Sequence, residues 1–155
     1  MATEIERKYL VRDDSWRDHV HRQVRYRQGY LANTGQCSVR VRVGGDTAYM
    51  NIKGSTVGAS RLEFEYPVPL ADAETMLREL CLRPIIEKTR YLVRHADGEW
   101  EIDVFEGDNA GLVVAEIELE HETQAVTLPD WAGQEVTGDI RYYNSSLVAT
   151  PYKQW

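Results

Sequence analysis

Apolar and charged residues alternate along most of the chain. In EIERKYLV (4–11), period two sets Glu4, Glu6 and Lys8 on one face of a strand and Ile5, Arg7 and Tyr9 on the other. The alternation returns in QVRYRQGYLA (23–32), QCSVRVRV (36–43), TAYMNIKG (47–54), SRLEFEYPV (60–68), IIEKTRYLVRH (85–95), EWEIDVFEG (99–107) and LVVAEIELEH (112–121). Turn residues separate several of these runs: Asn33, Thr34 and Gly35; Gly44, Gly45 and Asp46; Asp97 and Gly98. Helical spacing takes over in LADAETMLRELCL (70–82), where Leu70, Ala73, Met76, Leu77, Leu80 and Cys81 share a face, and YYNSSLVAT (142–150) can make a last helix. RDDSWRDHV offers Asp14 or Ser15 as an N-cap for a short turn that carries Trp16 inward. About eight strands joined mainly by tight turns, with two or three helices, predict a mainly β (α+β) fold built on an antiparallel sheet or closed barrel.

The polar faces of these strands are unusually ionic. Arg40 and Arg42 oppose Val39, Val41 and Val43; Asn51 and Lys53 oppose Met50 and Ile52; Glu63 and Glu65 oppose Leu62 and Phe64. Lys88 pairs in spacing with Arg90, Glu101 with Asp103, and Glu116, Glu118 and Glu120 oppose Ala115, Ile117 and Leu119. On one strand such a face is ordinarily solvated. Its repetition along the chain predicts a sheet curled shut with the charges inside and the apolar sides covered by helices from outside. Charges enclosed in that way must be paired, hydrated or liganded, so the interior is a site and not a core.

Composition narrows the class. A chain of 155 residues is the length of one domain, and the absence of linkers, repeats and low-complexity tracts predicts a single unit over 1–155. The formal net charge of −7 argues against a general nucleic-acid binder, although a basic pocket can sit inside an acidic protein. No apolar run is long enough to cross a bilayer, and the first residues lack a basic flank followed by an apolar run, so a soluble, cytoplasmic protein is expected. Cys37 and Cys81 stand in no metal-binding or disulfide spacing and are expected to be buried thiols.

The candidate chemistry follows from the two kinds of charge. Lys8, Arg40, Arg42, Lys53, Lys88 and Arg90 suit an elongated polyanion, because guanidinium forks and ammonium points both take phosphate oxygens. Glu4, Glu6, Glu63, Glu65, Glu116 and Glu118 are hard oxygen donors of the kind magnesium or manganese prefers. Together they describe a metal-chelated polyphosphate. Tyr30 is a candidate hydrogen-bond donor near the reacting phosphate, set against the packing role usual for a strand tyrosine. His19 and His21 are read as solvent-exposed, and Trp100, Trp131 and Trp155 as packing anchors unless they stand at a cavity mouth.

EIERK, with Glu4, Glu6 and Lys8, matches the ExExK signature of the CYTH superfamily, also called triphosphate tunnel metalloenzymes. RQGYL (27–31), VRVR (39–42), IKG (52–54), EFEY (63–66), EKTRY (87–91), EIDVF (101–105), AEIELE (115–120) and DIRYYN (139–144) continue the match in order over nearly the whole chain. The chain therefore resembles that superfamily, and most of all the short bacterial inorganic triphosphatases. The resemblance implies an eight-stranded antiparallel tunnel with a charged interior that hydrolyses or rearranges triphosphates with Mg2+ or Mn2+. It assigns the metal to Glu4, Glu6, Glu116 and Glu118, and the substrate to Lys8, Arg40, Arg42, Lys53, Lys88, Arg90 and Arg141. Lys8, Tyr30, Glu63, Glu65 and Lys88 are expected to take part in catalysis; Asp103 matches a further motif position. Water activated by a second metal and a Glu general base remain alternative routes to attack on the terminal phosphoryl group. Tripolyphosphate going to pyrophosphate and phosphate is the expected reaction. The alternatives are an adenylyl cyclase, a nucleoside or thiamine triphosphatase, or a non-catalytic polyphosphate-binding module. The expected partner is a small polyphosphate, with no nucleic acid and no membrane, and a homodimer is left open.

Overall fold

The computed structural model describes residues 3–96 and 98–155. The strands are β1 (Thr3–Val11), β2 (Val20–Asn33), β3 (Cys37–Gly44), β4 (Thr47–Gly54), β5 (Ser60–Pro67), β6 (Ile86–His95), β7 (Gly98–Phe105), β8 (Val113–Glu118) and β9 (Ala132–Glu135); the helices are α1 (Leu70–Glu79) and α2 (Asn144–Ala149). Every strand pairing is antiparallel, in the order β5-β4-β3-β2-β6-β7-β8-β1, and a final β5–β1 pairing closes eight strands into a barrel. The closing seam is short: Thr3, Glu4 and Ile5 face Leu62, Arg61 and Ser60. Further along the same edge of β1, the added strand β9 takes over at Tyr9 and Val11. No edge of β1 is left as a template for other chains.

Local chemistry accounts for most element ends. Gly45, at φ +59°, supplies the left-handed residue that the β3–β4 turn needs. Gly44 lies directly beneath the Tyr26 ring, where a Cβ would collide with it. The expected turn at Asp97 and Gly98 lies partly outside the described residues, since Asp97 is not among them; His95 and Gly98 face each other across the hairpin. The turn that buries Trp16 spans Ser15–His19, but its side-chain acceptor is Asp13, bonded to the Ser15 N–H at 2.9 Å, and neither Asp14 nor Ser15 acts as a side-chain cap. Helix α1 stops at Glu79, short of the expected Leu82: the Leu80 amide makes the last regular bond to the Met76 carbonyl, and the Cys81 amide turns back to that same carbonyl instead of continuing to Leu77. β9 has no apolar alternation to announce it; AGQE is held by the open edge of β1 and not by its own propensity.

The apolar sides face outward, but helices cover less of them than the pattern suggested. α1 covers only β2–β4, placing Ala73 and Leu77 against Val41, Val43 and Ala48. Over β6, β7, β8 and β1 the cover comes from irregular chain: Trp16 and Trp131 pack on Trp100, Tyr9, Val93, Ile102 and Ile117. Trp100 and Trp131 meet edge to face with ring centroids 5.4 Å apart. α2 does not pack outside at all. The inward-facing rows change character near one end of the barrel: Glu6 and Lys8 give way to Leu10, Arg90 and Lys88 to Ile86, Asp103 to Phe105, and Glu116 to Val114. These apolar row ends join Tyr30, Leu147 and Val148 in one buried cluster, so α2 plugs that end and leaves the ionic stretch beyond it. Among the described residues no helix is long and apolar enough to cross a membrane.

Trp100→Ala is expected to lower the unfolding free energy by about 3–5 kcal/mol in urea titrations, because this fully buried ring joins Tyr9 and Trp131 on the outer layer. Leu80→Ala, at a side chain 65% exposed, should change it by less than about 0.5 kcal/mol. Equal losses at the two positions would contradict the placement of the core.

Candidate functional site

Strand register decides which charges meet. Across β1 and β8, Glu6 faces Glu118 and Lys8 faces Glu116; β7 adds Glu101 opposite Glu116. On the other wall Arg40 faces Asn51, Asn51 faces Glu65, and Lys53 faces Glu63. The seam sets Glu4 opposite Arg61. Except for Asn51, which is buried behind Glu65, these side chains line a cavity of about 200 Å³ whose walls are polar, closed towards α2 by Tyr143, Asn144 and Ser145.

Most of the enclosed charges neutralise one another. Asp103 is the hub of the β6–β7 wall: Lys88 Nζ donates to Oδ2 at 2.6 Å, and Arg90 grips both oxygens, Nε to Oδ1 at 2.8 Å and Nη2 to Oδ2 at 3.0 Å. Arg90 also donates to Glu101 at 2.7 Å. Burial raises the Asp103 pKa, but Arg90 and Lys88 outweigh it and hold the carboxyl far below the usual range. For Lys88, burial wins over the pull of Asp103, with Arg90 adding repulsion, and the ammonium falls to about 7. Lys8 lies 3.4 Å from Glu116, and burial of Glu116 is overcome by Lys8 and Arg90, which hold it at about 2. Glu4 is bound by Lys53 at 3.3 Å and Arg61 at 3.2 Å, and these two cations pull it below its ordinary value against the effect of burial.

Two sets of charges stay poorly matched, and they lie on different walls. Among the described residues Arg40 and Arg42 on β3 have no carboxylate within ion-pair distance. Arg40 is buried with its Nε unpartnered, while the Arg42 guanidinium stacks 4.2 Å from the Tyr26 ring centroid. Burial, with Arg40 and Arg90 beside it, brings Arg42 down to about 10. The acidic surplus lies on β1 and β8: Glu6 has only a long 3.9 Å contact with Arg61, which Glu4 already holds at 3.2 Å, and among the described residues Glu118 has no cation within ion-pair distance. Burial and then Glu116 and Glu4 push Glu6 up to about 8, and burial with Glu4 and Glu63 raises Glu118. One wall is thus short of an anion and the other short of a cation.

The sequence-derived candidates Glu4, Glu6, Lys8, Tyr30, Arg40, Arg42, Lys53, Glu63, Glu65, Lys88, Arg90, Glu116 and Glu118 all reach this cavity. Asp103 lies behind the wall, 2% exposed, and acts through Lys88 and Arg90. Arg141, expected to meet the substrate, does not reach this cavity: it is on the outer surface, its side chain 65% exposed and paired with Asp139 at 2.9 Å, because it belongs to a 3-10 turn, Ile140–Tyr142, and not to a barrel strand. Arg61, Glu101 and Asn144 were missed. Arg61 shares the period-two face of Glu63 and Glu65 and was legible there. Asn144 comes from a helix start, for which strand alternation gives no signal. Among the tryptophans, none lines the cavity, and His21 spends its Nε2 on Glu99 at 3.1 Å.

The donor chemistry of the acidic wall fits a hard divalent cation: oxygen ligands from Glu4, Glu6, Glu116 and Glu118, with Glu6 and Glu118 opposite each other and both held up by neighbouring carboxylates. A cation there would relieve that repulsion. Among the described residues no three such side chains are gathered as a ligand cluster, since Glu4 turns to Lys53 and Arg61, and Glu116 to Lys8.

Comparison with known proteins gives consistent findings. The CYTH domain model matches residues 2–152. The chain is 48% identical over 155 residues to an inorganic triphosphatase of Acetivibrio thermocellus, covering 100% of this chain and 99% of that one. It is 40% identical over 149 residues to an inorganic triphosphatase of Nitrosomonas europaea, covering 94% and 96%. A solved inorganic triphosphatase structure superposes with a TM-score of 0.67 at 36% identity, over 96% of this chain and 95% of that one.

The repulsion on the acidic wall makes a pH prediction. Glu6 has an ordinary value of 4.5 and a folded value of about 8, so its effect on stability is nil below about pH 4.5, becomes a penalty that grows as the pH rises from 4.5 to 8, and stays constant above that. In chelator, Glu6→Gln should match the parent at pH 4 and exceed it at pH 8.5 by on the order of 2 kcal/mol, solvent screening having reduced the full shift. Identical thermal midpoints at pH 8.5 would contradict the crowding of Glu6 by Glu4 and Glu116.

Proposed function

The chain belongs to the CYTH domain family, and from that premise we propose that it is a divalent-metal-dependent triphosphatase that splits inorganic tripolyphosphate into pyrophosphate and phosphate. The observation that carries this is the division of unmatched charge: Arg40 and Arg42 stand free on β3, while Glu6 and Glu118 stand crowded across the cavity. A polyphosphate bound with its cation satisfies both walls at once. The volume favours an inorganic chain over a nucleotide or thiamine derivative: about 200 Å³ lies under the roughly 300–1,000 Å³ of drug-sized sites. Among the described lining residues the aromatic surface is confined to Tyr30 and Tyr143.

In this reading Arg40 and Arg42 take phosphate oxygens through guanidinium N–H groups, and Lys8, Lys53, Lys88 and Arg90 line up the rest of the chain. The low pKa of Lys88 makes it a donor that can release its proton to a leaving oxygen near neutral pH. Glu65, held by the Asn51 amide at 2.7 Å, keeps an oxygen free to accept a proton from the attacking water, with Glu63 beside it on β5. The Tyr30 hydroxyl donates to a phosphate oxygen near the plugged end. Glu4, Glu6, Glu116 and Glu118 would hold Mg2+ or Mn2+, which supplies neutralisation of phosphate charge. Free thiols at Cys37 and Cys81 go with a reducing, cytoplasmic setting.

Incubation with tripolyphosphate, pyrophosphate, ATP or thiamine triphosphate in Mg2+ or Mn2+, followed by assay of phosphate, pyrophosphate and cyclic AMP, tests this directly. Phosphate and pyrophosphate should appear fastest from tripolyphosphate, and chelation should stop the reaction. Cyclic AMP as the main product, or binding without turnover of any triphosphate, would overturn it. Arg40→Ala should lower kcat/KM roughly 10- to 150-fold through loss of one charge-assisted contact. Arg141→Ala should leave it within twofold, because Arg141 is outside the cavity; the reverse ranking would contradict the site.

A further inference from the structure

Asn144 occupies a place that neither strand alternation nor the ionic walls explain. As the first residue of α2, one position past the N-cap Tyr143, it turns its side chain into the barrel. Its Oδ1 accepts from Lys88 Nζ at 2.9 Å and from Gln28 Nε2 at 2.8 Å. Because an ammonium only donates, the amide orientation is settled: the oxygen faces Lys88. Gln28 is fully buried and is itself fixed on β2. Lys88 has three N–H donors; Asp103 takes one, Asn144 takes a second, and the third is left for the cavity that Lys88 lines. The charged groups around the ammonium are Asp103 on β7, Arg90 on β6, Glu116 on β8 and Arg40 on β3. Without the Asn144 oxygen, Asp103 alone would hold Lys88 back against the wall. The anchor is also coupled to the plug, because Leu147 and Val148 of the same helix sit in the buried cluster with Ile86, two residues from Lys88 on β6.

We propose that Asn144 is a positioning residue for the reaction: its amide oxygen, inserted from α2, fixes the Lys88 ammonium with one N–H aimed at bound phosphate. This rests on the triphosphatase reading above and goes beyond it, since it makes the docking of α2 part of the active arrangement.

The test is a double-mutant cycle joined to a measurement that needs no turnover. Asn144→Ala should lower kcat on tripolyphosphate roughly 10- to 100-fold, chiefly in kcat, and Asn144→Ala combined with Lys88→Ala should be no slower than Lys88→Ala alone. In the substrate-free protein, 15N NMR of the lysine side chains should place the Lys88 pKa about one unit lower in Asn144→Ala than in the parent, because an acceptor of the charged form is gone. Additive losses in the cycle, or an unmoved Lys88 titration, would overturn the proposal. Should Asn144→Ala fail to fold, Asn144→Thr, whose shorter side chain stays near the helix start, goes through the same two measurements. If the parent hydrolyses no triphosphate, the triphosphatase reading fails by itself, and the Lys88 titration still decides for or against the anchoring role.

Discussion

The grip of Asp103 on Lys88 and Arg90 is the interaction on which the rest of the structure depends. Three ionisable groups, all at the wall of a closed barrel, are tolerable only because Asp103 accepts from both Lys88 and Arg90 at hydrogen-bonding distance. Removing Asp103 would leave two cations enclosed beside Arg40 and Arg42, with Glu101 and Glu116 as the nearest counter-charges. The pair Lys8–Glu116 and the cluster Glu4–Lys53–Arg61 do the same work on the other walls. Internal neutralisation therefore sets how much charge the barrel can enclose, and what it leaves over defines the site.

What is left over is polarised. Had every carboxylate met a cation, the interior would be an inert salt lattice. Instead β3 presents two guanidinium groups with no carboxylate partner among the described residues, and β1 and β8 press Glu6 against Glu116 and Glu118. Such an arrangement is strained in the free protein and relaxed by a ligand carrying both signs, which is the electrostatic form of preorganisation. The plug sharpens it: by filling the end lined with Leu10, Ile86, Phe105 and Val114, α2 confines the ligand to the ionic stretch.

Much of this was legible in the chain because a β-strand writes its two faces at period two. EIERK, VRVR, EFEY and AEIELE put their charges on the right side without any knowledge of the fold, and the barrel register then only had to bring those rows together. The illegible parts have a common cause. Arg61 has the parity of Glu63 and Glu65 but stands at the start of β5, where a basic residue beside a turn is ordinarily solvated. Asn144 and Tyr143 come from a connection into a helix, Arg141 from a turn whose charge lies in a family motif but outside the cavity, and β9 from a polar stretch that pairs only because β1 offers an edge. Periodicity speaks for strands and for helices with a covered face; it is silent about segments whose conformation is imposed by tertiary contact.

The central claim is that the tunnel separates its unmatched charges, cationic on β3 and anionic across β1 and β8. The most direct measurement is a crystal structure of the protein with Mn2+ and a non-hydrolysable triphosphate, with manganese located by its anomalous scattering. The account predicts phosphate oxygens against Arg40 and Arg42 and the manganese signal against Glu6 and Glu118 inside the barrel. Manganese outside the barrel, or a triphosphate lying away from β3, would contradict it.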